Sequence, residues 1–512
     1  MRITNNIVDT NIGGFYIYSQ YGVFENNHFT RLANNTADET DYGTQGIYTR
    51  GENYIANNTI VNTGCKQGGG EILAAEDMRG GTKMYGDVVE ASGTEIIISP
   101  VRNSQGAILG SAYGSGMWAW DFSRKCSGDW YIVIVDGKGT GQYRKIISAI
   151  ETDEKLIIDK EWDIVPDATS KFTVVMALAN VTFYNNTAVN ARWSMLFYGP
   201  TLDCVISDNT LTDTAGIQIQ VIHKTSYDDT LNYSTQAEND TLDVRKNMAY
   251  FNRICRNTLS GTSWVGLTSE ITVITKIENT EVHGLPVLGV TISDNEITGD
   301  GKSPEEIFAE RSSDFTYGQF FRNGINIAMN VLKRKPENPT VEAVIIENNT
   351  LANLYDGITV GGAGYVKDAD GSYMATLCGT TTENISVRDN IFDNVVRRYT
   401  EYSEGETLTS WTSSPTVIKV SDNSNSDEPI SIKYTLENVQ NKIVDGLLLV
   451  AEYDENNKFI QATKWPVFLQ GYDSITNEWF CSTPAQSKYI KLFFWNNLNS
   501  IQPISKSVKY YI

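Results

Sequence analysis

The sequence predicts an all-β protein whose main body is a parallel β-helix solenoid, with a small β-domain inserted into it and a β-sandwich at its C-terminal end. Two observations predict the solenoid. First, an asparagine recurs at Asn6, Asn27, Asn58, Asn186, Asn209, Asn257, Asn295, Asn349 and Asn390. Each has an apolar residue three positions earlier (Ile3, Phe24, Ile55, Phe183, Ile206, Ile254, Ile292, Ile346, Val387). Each has another two positions later (Val8, Phe29, Ile60, Ala188, Leu211, Leu259, Ile297, Leu351, Phe392). Second, most coils continue into a Gly-apolar-x-apolar run, as in Gly14-Phe15-Tyr16-Ile17, Gly46-Ile47-Tyr48, Gly216-Ile217-Gln218-Ile219, Gly324-Ile325-Asn326-Ile327 and Gly357-Ile358-Thr359-Val360. Repetition of this regularity is the mark of stacked structural units.

Each part of the repeat has a physical reading. Apolar residues at minus three, often with another at minus five (Val181, Cys204, Val290, Val344, Ile385), have the period of a strand with one buried face. The residue at plus two opens a second strand, and the Gly-initiated run makes a third. Between the first two the chain turns a corner. Asparagine tolerates the left-handed conformation and bonds to nearby backbone, so the corner asparagines are expected to stack as an internal ladder.

With these residues in place, the chain resembles the right-handed parallel β-helix superfamily, pectate-lyase-like, which includes pectate lyases, polygalacturonases, many glycoside hydrolases and phage tailspikes. The resemblance covers roughly residues 1–400, less the insertions. It implies a carbohydrate-active protein and leaves the reaction open, because one scaffold hosts many chemistries.

Ladder spacing maps the insertions. Successive asparagines lie 21, 31, 128, 23, 48, 38, 54 and 41 residues apart. The long gap places an inserted β-domain at 66–178, leaving the β-helix as 1–65 and 179–402. Strand patterns inside it include Trp130 to Val135, Lys155 to Ile158 and Phe172 to Val175. Its glycine-rich stretch Gly137 to Gln142 is followed by no helix pattern, which argues against a phosphate loop. Shorter insertions near 223–247, 269–288, 299–322 and 361–382 read as loops that wall a cleft. Residues 403–428 are polar and rich in Ser and Thr, as in a linker. Residues 429–512 alternate like the strands of a sandwich. The stretch Lys491 to Pro503 (KLFFWNNLNSIQP) is similar to the end of small accessory β-domains attached to large secreted proteins of Gram-positive bacteria.

Composition agrees with the extracellular or cell-surface bacterial protein that the resemblance implies. A formal net charge of −21 disfavours nucleic acid and anionic membranes. No apolar run is long enough to span a bilayer. Cys204 stands at a core-facing strand position, where a buried free thiol is expected. His28, His223 and His283 are too scattered for a metal cluster. Met1 enters the repeat at once, so a preceding segment or a partner chain is expected to cover the first coil.

The candidate site comes from positions that alternate with the isoleucines of the third strand. One column reads Tyr16, Tyr48, Leu196, Gln218, Thr268, Asn326 and Thr359. The next reads Tyr18, Arg50, Tyr198, Gln220, Glu270, Ala328 and Gly361. Rings and amides suit sugars, whose C–H faces pack on aromatics and whose hydroxyls pair with amides. Trp193 and Arg322 complete the proposed binding set. Glycosidic hydrolysis needs two carboxyl groups, one protonated and one ionised. Glu270, Asp356 and Asp213 are the candidates, whereas Asp208, Asp294 and Asp389 recur beside ladder asparagines and read as turn residues. The function expected is a glycoside hydrolase. A polysaccharide lyase working with calcium and Arg or Lys is one alternative, and a non-catalytic adhesin or tailspike-like binder is the other. No cofactor is required except calcium for the lyase; Asp368 and Asp370 lack the rest of an EF-hand loop and read as a solvated turn.

Overall fold

The computed structural model describes residues 1–9, 15–18, 21–30, 47–63, 73–76, 82–102, 106–110, 119–123, 129–191, 195–214, 216–225, 244–261, 269–278, 283–301, 323–331, 341–360, 362–367, 373–377, 382–403, 406–407, 416–422, 431–438, 443–456, 458–470, 473–480, 486–495 and 508–511. Among them there are strands and one short 3-10 turn, Glu151–Asp153, but no α-helix.

The main body is a parallel β-helix. Its first sheet stacks nine parallel strands, from Arg2–Thr4 through Thr182–Tyr184 to Ser386–Arg388. In register they align Ile3, Phe24, Ile55, Phe183, Ile206, Ile254, Ile292, Ile346 and Val387, the minus-three positions of the repeat. A second sheet begins after each ladder asparagine and aligns Val8, Phe29, Ile60, Ala188, Leu211, Leu259, Ile297, Leu351 and Phe392. A third holds the Gly-initiated strands. Second and third merge where Thr350–Val360 and Ile391–Ser403 run unbroken through both. Three strands per coil were expected, but among the described residues six coils carry a fourth, two-residue strand, from Leu178–Ala179 to Thr382–Glu383. Such short pairs leave no alternation to detect. The apolar faces of all coils meet in one continuous core.

The ladder forms as expected. Each asparagine donates its Nδ2 to the Oδ1 of the next, from Asn6 to Asn27 at 2.8 Å through Asn349 to Asn390 at 2.9 Å. The step from Asn58 to Asn186 spans the 128-residue gap at 2.9 Å. Its corner geometry differs from the expectation in one respect. The left-handed residue is the one before the ladder: Asn5, Asn26, Asn57, Asn185, Asp208, Arg256, Asp294, Asn348 and Asp389 all have φ between 50° and 60°. Asp208, Asp294 and Asp389 are therefore corner residues, and Asp208 also holds Arg256 of the next coil at 2.8 and 2.9 Å.

Within the expected insertion, six antiparallel strands between Thr82 and Met176 close into a barrel around Met84, Ile96, Ile132, Ile134, Leu156 and Phe172. The glycine-rich stretch is its hairpin turn, with Gly137, Gly139 and Gly141 at positive φ. The segment ahead of the barrel departs from the expected boundary. Leu73–Glu76 is a third-sheet strand, paired with Ile47–Arg50 and Met195–Tyr198. Tyr131, Val133, Val135 and Val175 of the barrel pack on Ala179, Leu202, Met248 and Tyr250 of the β-helix.

Beyond Ser403 two antiparallel sheets share a core of Leu436, Leu448, Val450, Trp479, Ile490 and Phe494. Thr416–Asp422, inside the expected linker, is a strand of the first of these sheets.

Candidate functional site

The third sheet sets the geometry. Ile47, Met195, Phe197, Ile217, Ile219, Ile325, Ile327, Ile358 and Val360 are in the core. The alternate positions fall into two columns whose order follows from the strand registers. The first runs Tyr16, Tyr48, Ala74, Leu196, Gln218, Thr272, Asn326, Thr359 and Thr400. The second pairs Tyr18 with Arg50, then runs Glu76, Tyr198, Gln220, Ile274 and Ala328. Tyr16, Tyr18, Tyr48, Arg50 and Tyr198 thus share one end of the sheet. Gln218, Gln220 and Asn326 lie toward the other.

All three expected catalytic carboxylates change standing. The sequence columns put Glu270 in the second column, beside Gln220. The strand is instead Ser269–Glu278, with Thr272 opposite Gln218 and Ile274 opposite Gln220, so the column position belongs to Ile274 and Glu270 stands ahead of both columns. Asp356 has the parity of Leu354 and Ile358 and is 2% exposed. Arg397, its register partner on the last coil, binds it through two 2.5 Å hydrogen bonds and stacks on Tyr355 at 4.7 Å. Burial pushes the Asp356 carboxyl up, and the guanidinium opposes that shift. It is an internal ion pair of two coils rather than a carboxylate at the edge of a cleft. Asp213 is an exposed left-handed corner residue, φ 53°, in the place that Asn190, Asn353 and Asn394 fill in other coils. Gly261 takes that place one coil later, where a Cβ would lie 2.1 Å from an Asp213 carboxylate oxygen. Trp193, Arg322, Thr268, Gly361, Asp368 and Asp370 lie outside the described residues.

Toward the far end the column is enclosed. Gln218, Gln220, Asn326 and Thr359 are 4%, 6%, 1% and 3% exposed, although their positions alternate with the core. Gln218 donates to Gln220 at 3.2 Å.

Past the corner that follows the tyrosine end, the barrel adds a polar wall that the sequence did not reveal. The hydroxyl of Tyr131 donates to Glu52 and that of Tyr143 to Asp203, and the two rings meet edge to face at 5.8 Å. Tyr21 also bonds to Glu52, and Lys145 pairs with Asp129. Burial, followed by the bonded carboxylate, raises the phenol pKa of Tyr131 and of Tyr143. Among the described residues, Glu76 stands in the second column by register and Glu52 lies just past the corner after Arg50. Neither carries a sequence signal: Glu76 ends a strand, Leu-Ala-Ala-Glu, that lacks the Gly-apolar-x-apolar pattern.

Among the described residues no group of three or more His, Cys, Asp or Glu side chains could hold a metal ion, and no helix is long and apolar enough to cross a membrane. No protein-family model and no curated protein matches the chain. A solved structure, the tailspike protein gp49 from Pseudomonas phage LKA1, aligns at 10% identity over 85% of this chain and 86% of its own, with a TM-score of 0.18. At that score the likeness carries no argument, and the fold assignment rests on the parallel registers and the asparagine ladder.

Proposed function

We propose that this is an extracellular carbohydrate-binding β-helix protein that lays a neutral oligosaccharide along the columns of the third sheet. The register carries the reading: it places Tyr16 beside Tyr48, Tyr18 beside Arg50 and Glu76 beside Tyr198, and continues them into buried amides. Rings for C–H faces and amides for hydroxyls are the lining such ligands need. The net charge of −21 disfavours a polyanionic glycan. The C-terminal sheets are read as an accessory sandwich.

Hydrolysis is the second reading. It now rests on Glu76, in the column between Arg50 and Tyr198, with Glu52 past the corner as the other carboxylate. A lyase would draw on Arg50 and on calcium to offset uronate charge. Incubation with a panel of plant, host and bacterial glycans tests all three. Binding without new reducing ends supports the proposal. Reducing ends abolished by Glu76→Gln support the hydrolase, and ultraviolet absorbance from unsaturated uronic acids supports the lyase. A panel that neither binds nor reacts refutes the carbohydrate reading.

A further inference from the structure

Asn326 Oδ1 and Thr359 Oγ1 are both buried and both without a hydrogen-bond partner. They are register neighbours on adjacent strands of the first column. Ile325 and Ile327 flank one in sequence, Ile358 and Val360 the other, and all four lie in the core, so the two polar side chains stand on the opposite face. Trp162 Nε1 and Asn247 Oδ1 are also buried and unpaired, but neither has such a neighbour. An orphaned buried polar atom is costly, and native chains keep few of them. Two in register at one place on a ligand-facing column call for a common explanation. Each lacks a partner that a sugar hydroxyl supplies: a donor for the amide oxygen, and either sense of bond for the threonine hydroxyl. The hairpin Gly362–Lys367 and Tyr373–Leu377, which begins three residues after Thr359, lies close to the strand of Asn326. An enclosed position admits the end of a chain more readily than its middle.

We infer that Asn326 and Thr359 form an enclosed hydroxyl-binding subsite that receives the terminal sugar of the oligosaccharide. The inference rests on the carbohydrate-binding reading and adds a direction to it. From Asn326 to Tyr48 the column descends five strands, roughly 24 Å at ~4.8 Å per strand. A monosaccharide reaches one end only, so affinity rises with length until both ends are engaged.

Titration calorimetry of the full chain with gluco-, manno- and galacto-oligosaccharides of graded length tests this, using the parent and the variants Thr359→Val, Thr359→Ser, Asn326→Leu and Tyr48→Ala. Thr359→Val and Asn326→Leu replace an unpaired polar group by an apolar one of similar size. Without ligand they are expected to melt at the parent temperature or above it, because no bond is lost. They are expected to weaken oligosaccharide binding about tenfold each, the worth of one well-made hydrogen bond. Thr359→Ser, which keeps the hydroxyl, restores parent affinity. Parent-like binding by the valine and leucine variants, with binding impaired in Tyr48→Ala, overturns the subsite while sparing the carbohydrate reading. That result would leave only ordered water to satisfy the pair. Lower melting temperatures in both variants overturn it too, by showing a packing role. A parent that binds no oligosaccharide overturns the carbohydrate reading itself.

Discussion

A ladder asparagine serves four bonds at once. Asn209 donates through Nδ2 to Asn257 Oδ1 at 2.8 Å and to the Phe183 carbonyl at 3.1 Å, and its Oδ1 accepts from the Nδ2 and backbone N–H of Asn186 at 3.1 and 2.9 Å. Asn209→Leu strands all of these buried partners. It is expected to cost about 3 kcal/mol or more in urea denaturation, beyond an average substitution. The geometry explains why this position was legible in the sequence: only one side chain offers both a donor and an acceptor at that length. The neighbouring left-handed position was legible as a turn only where Asp208, Asp294 and Asp389 recur, because Asn and Arg256 occupy it elsewhere. Asp356 shows a second limit. Its place before Gly357 suggested an edge carboxylate, but the unbroken strand Thr350–Val360 carries the core parity back through it, and its partner Arg397 is 41 residues away.

Among elements, the barrel is held to the β-helix by apolar packing and by a few specific bonds. The backbone N–H of Leu285 donates to the Val135 carbonyl at 2.8 Å, and Gly284 beside it has φ 78°. A Cβ at Gly284 would lie 2.5 Å from a Val135 methyl and 2.6 Å from its carbonyl oxygen. Gly284→Ala is therefore expected to loosen this junction, seen as faster amide exchange in Trp130–Asp136 than in the ladder strands. Tyr131→Phe removes the hydroxyl that meets Glu52 and is expected to lower stability by about 1 kcal/mol in calorimetry. Strand existence was legible here, since the run Trp130 to Val135 is continuously apolar and Phe172 to Val175 is apolar but for the β-branched Thr173. Register was not. The sequence columns align Thr268 and Glu270 with Gln218 and Gln220, whereas the strand Ser269–Glu278 sets Thr272 and Ile274 opposite them. That shift of four residues removed Glu270 from the site. Conversely, Leu73–Glu76 has no strand signature of its own and is recognised by its neighbours on either side.

For the whole molecule, His283 links stability to acidity. His283 approaches the Phe172 carbonyl of the barrel at 3.0 Å and packs edge-on to Tyr85 at 4.9 Å. Burial lowers its pKa to about 4, with Lys246 and Lys171 opposing the cation as well. The folded state therefore holds the proton less tightly than the unfolded chain, where the value is about 6.5. Its stabilising contribution is complete above pH 6.5 and is lost as pH falls from there to about 4, amounting to about 3 kcal/mol. Thermal melts of the parent at pH 7 and pH 4.5 should differ by more than those of His283→Gln. The ladder has a consequence on the same scale. Every amide in it points the same way, Nδ2 toward the next coil and Oδ1 toward the previous one. Aligned amide dipoles reinforce one another. The stack is therefore a polarised wire, negative at Asn6 and positive at Asn390, with its two ends chemically unlike. A coil added ahead of Ile3 must present a hydrogen-bond donor to Asn6, and one added beyond Asn390 must present an acceptor. Two such solenoids can extend one another head to tail, but their like ends do not match.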